Sequence, residues 1–300
     1  MTKTISPHAY AEATDRLRSA GCVFAEDEVA VLSAAADDEA ALTGLVSRRA
    51  AGEPLEQVVG YADFGGLRIR LRPGVFVPRV RSELLVRLAT DAARRASADR
   101  AAADRAAADR VAAHQATTGR AAEDRTTAEQ GLDPVVVDLC CGSGALGAVV
   151  VHRVPGVRLH ATDVAAAAVA CARDNLAGTG AAVHRGDLFA ALPAALHGHV
   201  DVLLANVPYV PTAHLPLLPA EARLHEPREA LDGGGDGLDV FRAVVAGAPR
   251  WLAPGGVLLS ECTGAQAAAA VAAIRAAGLR PEVVEDEEAT AVLGHHDAPR

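Results

Sequence analysis

The tetrapeptide Asn206-Val207-Pro208-Tyr209 has residue types that suit a site for a planar NH2 group. The side-chain oxygen of Asn206 and the backbone carbonyl of Val207 can accept two N–H protons, while Pro208 fixes the turn and Tyr209 offers a planar wall. An amide nitrogen is a weak nucleophile because its lone pair is delocalised, so catalysis there depends mostly on orientation and electrostatics. We therefore expect these residues to hold and activate the acceptor of a group transfer. The alternative is a turn that only closes a strand.

A glycine turn follows the apolar run from Val135 to Leu139 and opens a helical stretch. Gly142 and Gly144 allow the backbone to approach a ligand closely, and an exposed helix N-terminus favours an anionic group. The spacing Gly142-x-Gly144-x-x-Gly147 also satisfies the dinucleotide fingerprint. The turn by itself is therefore compatible with S-adenosyl-L-methionine and with NAD.

Three acids narrow the choice of cofactor, because one lies at or just after the end of each of three successive predicted strands: Asp138, Asp163 and Asp187. Asp163 is placed to accept both ribose hydroxyls, and Asp187 lies beside the expected adenine pocket. A carboxylate at each strand end suits a nucleoside that carries an amino acid better than a dinucleotide, so the predicted cofactor is S-adenosyl-L-methionine. Each acid could instead cap a helix. Cys140 and Cys141 are interpreted as small turn residues, since no histidine is close in sequence to activate a thiol.

Short apolar runs alternate with helical stretches from Pro134 onward, which predicts an α/β fold with a doubly wound, mainly parallel sheet. The last two runs are only a few residues apart, too close for a crossover helix, so the sheet should end in an antiparallel hairpin. The seven predicted strands are 135–139, 158–162, 182–184, 200–205, 257–261, 282–285 and 290–293.

The spacing of apolar residues divides the segment before the sheet into several units. Helical spacing of apolar residues predicts a small helical domain, and alternation of Leu67, Ile69 and Leu71 with arginines predicts a β-hairpin. An Ala/Asp/Arg-rich repeat without a continuous apolar stripe then predicts a helical or disordered insert that packs little, with a partner-binding arm as the alternative. The predicted units are a helical substrate-recognition domain (1–57), a linking hairpin (58–80), a helix (81–93), the insert (94–130) and a cofactor-binding domain (131–300).

Composition excludes several classes of protein. The formal charge of -9 argues against binding nucleic acid by bulk electrostatics, although a local basic patch stays open. No run of residues has the length and hydrophobicity of a membrane span. The cysteines are odd in number and lack metal-ligand spacing, which favours reduced thiols, a cytoplasmic location and no metal; they are Cys22, Cys140, Cys141, Cys171 and Cys262.

From Glu53 to Leu293, apart from the insert, the chain resembles the protein-(glutamine-N5) methyltransferases that modify the Gly-Gly-Gln loop of peptide chain release factors. The matching segments are Glu53-Pro54-Leu55 with Gly60, Phe64-Gly65-Gly66, Val77-Pro78-Arg79 with Glu83, the glycine turn, the tetrapeptide, and His225-Glu226-Pro227 through Asp236-Gly237-Leu238.

This resemblance implies a class I methyltransferase, Rossmann-like, with a seven-stranded sheet. It further implies that S-adenosyl-L-methionine is held by Asp138, Cys140, Cys141, Gly142, Ser143, Gly144, Asp163, Asp187, Leu188 and Asn206. The acceptor glutamine of a protein, with a release factor suspected, would be bound by the four residues 206–209 together with Phe64, Arg79 and Glu83.

The chain departs from the family pattern at three places. Val207 stands where the family usually has proline, and its expected contribution is a backbone carbonyl that valine also provides. Cys140 stands at the first turn glycine, which requires that this residue keep a negative φ. After Arg79 the chain has Val80-Arg81-Ser82 in place of the usual Pro-acid-Thr, where the protein substrate would dock.

Three other functions remain open from the sequence. An adenine-N6 nucleic-acid methyltransferase uses a related tetrapeptide, and the arginines Arg68, Arg70, Arg72, Arg79 and Arg81 could bind phosphates; a solvated hairpin face is the simpler interpretation. An NAD-dependent oxidoreductase fits the glycine spacing. A cofactor-binding protein without activity is the third.

Overall fold

A computed structural model of the chain describes residues 5–118 and 133–298, without the side chains of residues 111–118. Part of the predicted insert, residues 119–130, therefore lies outside the described residues. None of the helices in the two described ranges has both the length and the hydrophobicity needed to cross a membrane.

The N-terminal segment folds into short helices around a small apolar core. They are α1 (Pro7–Ser19), α2 (Ala25–Ala35), α3 (Glu39–Ala50) and α4 (Leu55–Val59). Side chains fix two of the helix starts, since Ser6 accepts the Ala9 N–H and Asp38 accepts the Ala41 N–H. The core contains Leu17, Leu32 and Leu42, all nearly fully buried.

The predicted hairpin forms as strands β1 (Tyr61–Phe64) and β2 (Leu67–Arg70), which pair antiparallel. Ile69 is buried and Arg68 is exposed, as the alternation predicts. A Cβ on Gly65, whose φ is +60°, would lie 2.7 Å from a methyl group of Val149. The glycine therefore allows the hairpin to pack directly on the main domain.

One long helix, α5 (Glu83–Thr118), continues through the position where the sequence separates a helix (81–93) from an insert. Arg100 explains part of its attachment, because it forms an ion pair with Asp201 at 2.7 Å. Asp201 also accepts the Val135 N–H, so this contact joins the repeat to two strands of the sheet. Residues 102–110 of the repeat are exposed, which agrees with the absence of an apolar stripe.

The main domain is built on a seven-stranded sheet in the order β5-β4-β3-β6-β7-β9-β8. Its strands are β3 (Val135–Leu139), β4 (Arg158–Asp163), β5 (Ala182–Arg185), β6 (Val200–Ala205), β7 (Leu252–Cys262), β8 (Arg280–Glu285) and β9 (Thr290–His295). Strands β3 to β7 are parallel, and β8 and β9 form the antiparallel hairpin at the end. The predicted α/β fold class is confirmed.

Helices cover both faces of this sheet, so most residues of its central strands are buried. The covering helices are α5, α6 (Ala145–Arg153), α7 (Ala166–Asn175), α9 (Asp239–Trp251) and α10 (Ala267–Ala276). Helix α8 (Ala220–His225) lies in the segment after β6. One core contains residues of α5 and α6, and the other contains Phe241 of α9 and Ile274 of α10. The carboxyl ends of the parallel strands meet at one edge, where ligands bind in such folds.

Candidate active site

A cavity of about 240 Å³ lies at the carboxyl edge of the sheet. It brings together the turn after β3, the ends of β4 and β5, the tetrapeptide after β6, and residues 74–82. All the predicted cofactor residues except Gly144 line it, as do all four residues of the tetrapeptide. Residues separated by more than a hundred positions in sequence thus share one site.

The backbone of the turn after β3 is left-handed at three positions. The φ angles are +56° at Cys140, +55° at Gly142 and +76° at Gly144. The condition that Cys140 keep a negative φ is not met, because the sharp turn from β3 into α6 imposes the conformation that glycine adopts most easily. Gly144 serves packing, since a Cβ there would lie 3.1 Å from that of Ala172 in α7.

The left-handed turn predicts an unusual order of stability for two replacements of Cys140. We expect Cys140→Gly to be more stable than Cys140→Ala by about 1 kcal/mol, because alanine keeps the backbone strain and glycine relieves it. At most other positions alanine is the more stable residue. Urea unfolding of both variants measures the difference, and a more stable alanine variant would contradict the strain.

The Cys140 thiol does not have the properties of a nucleophile. Burial, followed by the nearby Asp163 and Asp138 carboxylates, raises its pKa to about 12. Burial likewise raises the pKa of Cys141. Both thiols therefore stay protonated at neutral pH, in agreement with their interpretation as turn residues.

The acid after β4 binds two backbone N–H groups. Asp163 accepts from Gly142 at 2.9 Å and from Ala165 at 2.8 Å, so it ties the first turn to its own loop. It does not cap α7, and Asp187, which is exposed, makes no side-chain cap to the following turn. The helix-cap alternative therefore does not account for either acid.

The acid that ends β3 is buried. Asp138 accepts the Gly147 N–H at 3.1 Å in the first turn of α6, as a helix-capping acid would, and it also lines the cavity. Burial, with a smaller contribution from Asp163, raises its pKa from 3.8 to about 7. A ligand cation that pairs with this carboxylate must therefore compete with a proton near neutral pH.

We expect the affinity for S-adenosyl-L-methionine to increase with pH. Below pH 7 Asp138 is mostly protonated, so pairing with the cofactor ammonium requires loss of that proton; from pH 6 to 7.5 the affinity should rise roughly eightfold. Calorimetric titration at several pH values measures the change. In Asp138→Asn binding should be weaker and the rise should disappear, whereas an equal rise in this variant would exclude Asp138 as its origin.

The acidic side chains that line the cavity fit S-adenosyl-L-methionine better than a dinucleotide. Asp138, Asp163 and Asp187 would repel a pyrophosphate, whereas they can accept hydrogen bonds from an ammonium group and from ribose hydroxyls. The buried hydroxyl of Thr162 also lines the cavity and has no hydrogen-bond partner within the described residues, so a ligand can satisfy it.

The tetrapeptide is held by a cluster of polar side chains. Asn206 Nδ2 donates to Ser82 Oγ at 3.0 Å, and Ser82 Oγ donates to Glu261 Oε2 at 2.7 Å. Tyr209 Oη donates to Glu261 Oε1 at 2.6 Å and accepts from Arg81 Nη2 at 2.7 Å. Burial, with the adjacent Glu261, raises the pKa of Tyr209 well above its usual range, so the phenol keeps its proton.

Sequence reasoning did not assign a role in holding the tetrapeptide to Ser82 or Glu261, or to the nearby Gln266. Glu261 is buried near the end of β7, and its strand-end position is the same signal that identified Asp138 and Asp163. Gln266 donates to the Tyr209 carbonyl at 2.9 Å. A capping box with Thr263 gives Gln266 a recognisable spacing, although that spacing does not indicate a contact with the tetrapeptide.

Of the three residues predicted to bind substrate outside the tetrapeptide, only Arg79 lines the cavity. Phe64 is 2% exposed and packs in the core beneath the hairpin. Glu83 accepts the Gly65 N–H at 3.2 Å and so ties the hairpin to the start of α5. The structure therefore gives Phe64 and Glu83 supporting positions, away from the cavity.

The arginines that could have bound phosphates are mostly paired within the chain. Arg68 pairs with Asp63 within the hairpin, and Arg72, just after the hairpin, pairs with Asp174 of α7. At the cavity, Arg79 pairs with the buried Glu226 and Arg81 with the buried Glu261. These four arginines are therefore already neutralised by carboxylates within the chain, which does not favour a groove that binds phosphates.

The sheet order, the glycine turn and the acids at the strand ends define a class I, S-adenosyl-L-methionine-dependent methyltransferase. A model of the methyltransferase small domain matches residues 125–245. A release factor glutamine methyltransferase of Streptomyces coelicolor is 34% identical, over 84% of this chain and 82% of that protein. One of Moorella thermoacetica is 34% identical, over 78% and 70%. The chain belongs to the release factor glutamine methyltransferase family.

A relative with a different name is equally similar. The 4-amino-L-phenylalanine/4-methylamino-L-phenylalanine methyltransferase of Streptomyces pristinaespiralis is 37% identical, over 85% of this chain and 78% of that protein. The resemblance identified in the sequence is confirmed, and the chain is a methyltransferase. The comparisons do not favour the oxidoreductase and adenine-N6 alternatives.

Proposed function

We propose that this chain is a cytoplasmic enzyme that methylates the side-chain amide nitrogen of a glutamine in a protein, with a peptide chain release factor as the substrate. The observation that carries the proposal is the orientation of Asn206. Its Nδ2 is engaged by Ser82, which leaves Oδ1 to accept an N–H from a planar NH2 group.

The cofactor supplies an electrophilic methyl group on a sulfonium. Asn206 Oδ1 and the Val207 carbonyl accept the two acceptor protons and thereby direct the nitrogen lone pair, while the Tyr209 ring limits the tilt of the amide plane. Tyr209 does not act as a base, because its phenol keeps its proton. The proton is lost to water after transfer, so the residues contribute position and electrostatics.

The valine of the tetrapeptide is compatible with this chemistry. Its side chain is 2% exposed and belongs to the core cluster that contains Leu238 and Phe241. The change from the family's proline therefore adds no polar group to the cavity, and the carbonyl that the reaction requires belongs to the backbone of either residue.

The test is a methyl-transfer assay with purified chain, labelled S-adenosyl-L-methionine and the release factors of the same cell. Tandem mass spectrometry should locate one added methyl group on the glutamine of the Gly-Gly-Gln loop. A release factor with asparagine in place of that glutamine is the control and should stay unlabelled. Label on other residues, or only on nucleic acid, would contradict the proposal.

A second candidate acceptor is the aromatic amine of a free amino acid, which is favoured by the 37% identical relative named for 4-amino-L-phenylalanine. An aromatic NH2 is conjugated with its ring and close to planar, so Asn206 and Val207 can hold it in the same way. The same assay with 4-amino-L-phenylalanine distinguishes the two. Methylation of the free amino acid, with no methylation of release factors, would select this candidate.

A further inference from the structure

Glu261 is the centre of the hydrogen-bonded cluster that reaches both ends of the tetrapeptide. It lies near the end of β7, next to β6 in the sheet, and its side chain is 4% exposed. Oε2 accepts from Ser82, and Oε1 accepts from Tyr209 and, at 2.8 Å, from Arg81 Nε. Both oxygens are therefore bound, and Arg81 balances the buried charge.

The direction of these hydrogen bonds, from donor to acceptor, determines the orientation of the Asn206 side-chain amide. A carboxylate paired with arginine only accepts, so the single hydroxyl proton of Ser82 points to Glu261. Ser82 Oγ then offers only lone pairs to Asn206, and the amide must present its NH2 group there. Asn206 Oδ1 forms no hydrogen bond to any described residue and remains available in the cavity.

We infer that Glu261 is a positioning residue: acting through Ser82, it holds the Asn206 amide with Oδ1 available to the acceptor, and it holds the Tyr209 ring directly. This inference rests on the proposed function, since it assigns Oδ1 to an acceptor N–H. Ser82 replaces the family's threonine with another hydroxyl, so the same proton arrangement is kept. Arg81, which replaces an acid, supplies the positive charge beside Glu261.

Glutamine in place of Glu261 has nearly the same shape but can either donate or accept. The Ser82 proton can then turn to either side, and the Asn206 amide is no longer held in one orientation. We expect Glu261→Gln and Ser82→Ala each to lower kcat roughly 10- to 100-fold, with the Kd for S-adenosyl-L-methionine within about threefold of wild type. Ser82→Thr should keep near wild-type kcat, because it retains the hydroxyl.

Asp201→Asn is the matched control, since Asp201 is another largely buried carboxylate paired with an arginine, at the opposite end of β6. It should lower Tm and leave kcat unchanged. The inference is overturned if Glu261→Gln weakens cofactor binding in parallel with kcat, or if Ser82→Thr is as slow as Ser82→Ala.

Nuclear magnetic resonance provides a readout that needs no acceptor. The side-chain NH2 signals of Asn206 are identified by their absence in Asn206→Asp, and one proton should be shifted downfield by its bond to Ser82. That shift should be lost in Ser82→Ala and in Glu261→Gln; unchanged signals in Glu261→Gln would overturn the inference. If the wild-type chain methylates no candidate acceptor, the proposed function fails while these signals still test the positioning role.

Discussion

Asn206→Ala is expected to lower the rate of methyl transfer by at least roughly 1,000-fold, while the affinity for S-adenosyl-L-methionine stays within about tenfold. In the proposed function, Asn206 Oδ1 accepts an N–H proton of the acceptor, whose nitrogen becomes more positive during attack, so this interaction should strengthen toward the transition state. Most of the cofactor contacts are expected from other residues that line the cavity, including Asp163 and the glycine turn. Single-turnover kinetics and calorimetric titration measure the two quantities separately.

Asn206→Gln is the matched variant for this prediction. It keeps the amide but moves it by one methylene, which places the amide oxygen beyond the productive position; a loss of roughly 100-fold or more is expected. Both variants should unfold at temperatures close to that of wild type, because Asn206 makes a single side-chain hydrogen bond to the described residues. An active Asn206→Ala enzyme would exclude the proposed role of the tetrapeptide.

The strands of the sheet could be predicted because their burial on both faces leaves a direct trace in the sequence. β6 is an almost unbroken apolar run, and its six residues match the predicted boundaries. The two last strands were separable from the parallel ones because the connection between them is too short for a crossover.

The long helix α5 shows that sequence periodicity does not reveal contacts between residues far apart in the chain. Its Ala/Asp/Arg repeat lacks an apolar stripe, so the pattern predicts little packing. In the structure Arg100 pairs with Asp201, which is 101 positions away. Local spacing cannot indicate a contact of that length.

In the candidate site, too, some features are predictable from the sequence and others are not. Asp138, Asp163 and Asn206 were identifiable because each lies at or just after the end of a predicted strand, and parallel strands end at one edge. The bonds that orient them join residues far apart, such as Ser82 and Glu261, which are 179 positions apart. The positive φ of Cys140 could not be read from its residue type for a related reason, since the surrounding turn overrides the preference of the residue.

Gly237→Ala is expected to lower the rate of methyl transfer roughly 100-fold or more and to destabilise the fold by about 2–4 kcal/mol. The φ of Gly237 is +82°, and a Cβ there would lie closer than 3.0 Å to the Tyr209 carbonyl oxygen and to Gln266 Nε2. Alanine must therefore push the loop or the tetrapeptide out of place. A Cβ on Gly233 would lie 2.7 Å from the Pro208 carbonyl oxygen. This glycine-rich segment therefore packs directly on the tetrapeptide backbone.

Gly235→Ala is the control in the same loop, since no atom lies within 4 Å of its Cβ position and its φ is not left-handed. It should retain wild-type activity and Tm, which thermal unfolding and single-turnover assays measure side by side for the two variants. Equal behaviour of the two alanine variants would show that the close approach at Gly237 does not position the tetrapeptide. A slow Gly237→Ala enzyme with unchanged cofactor affinity would place the damage at the tetrapeptide, because the Tyr209 carbonyl that Gly237 approaches belongs to it.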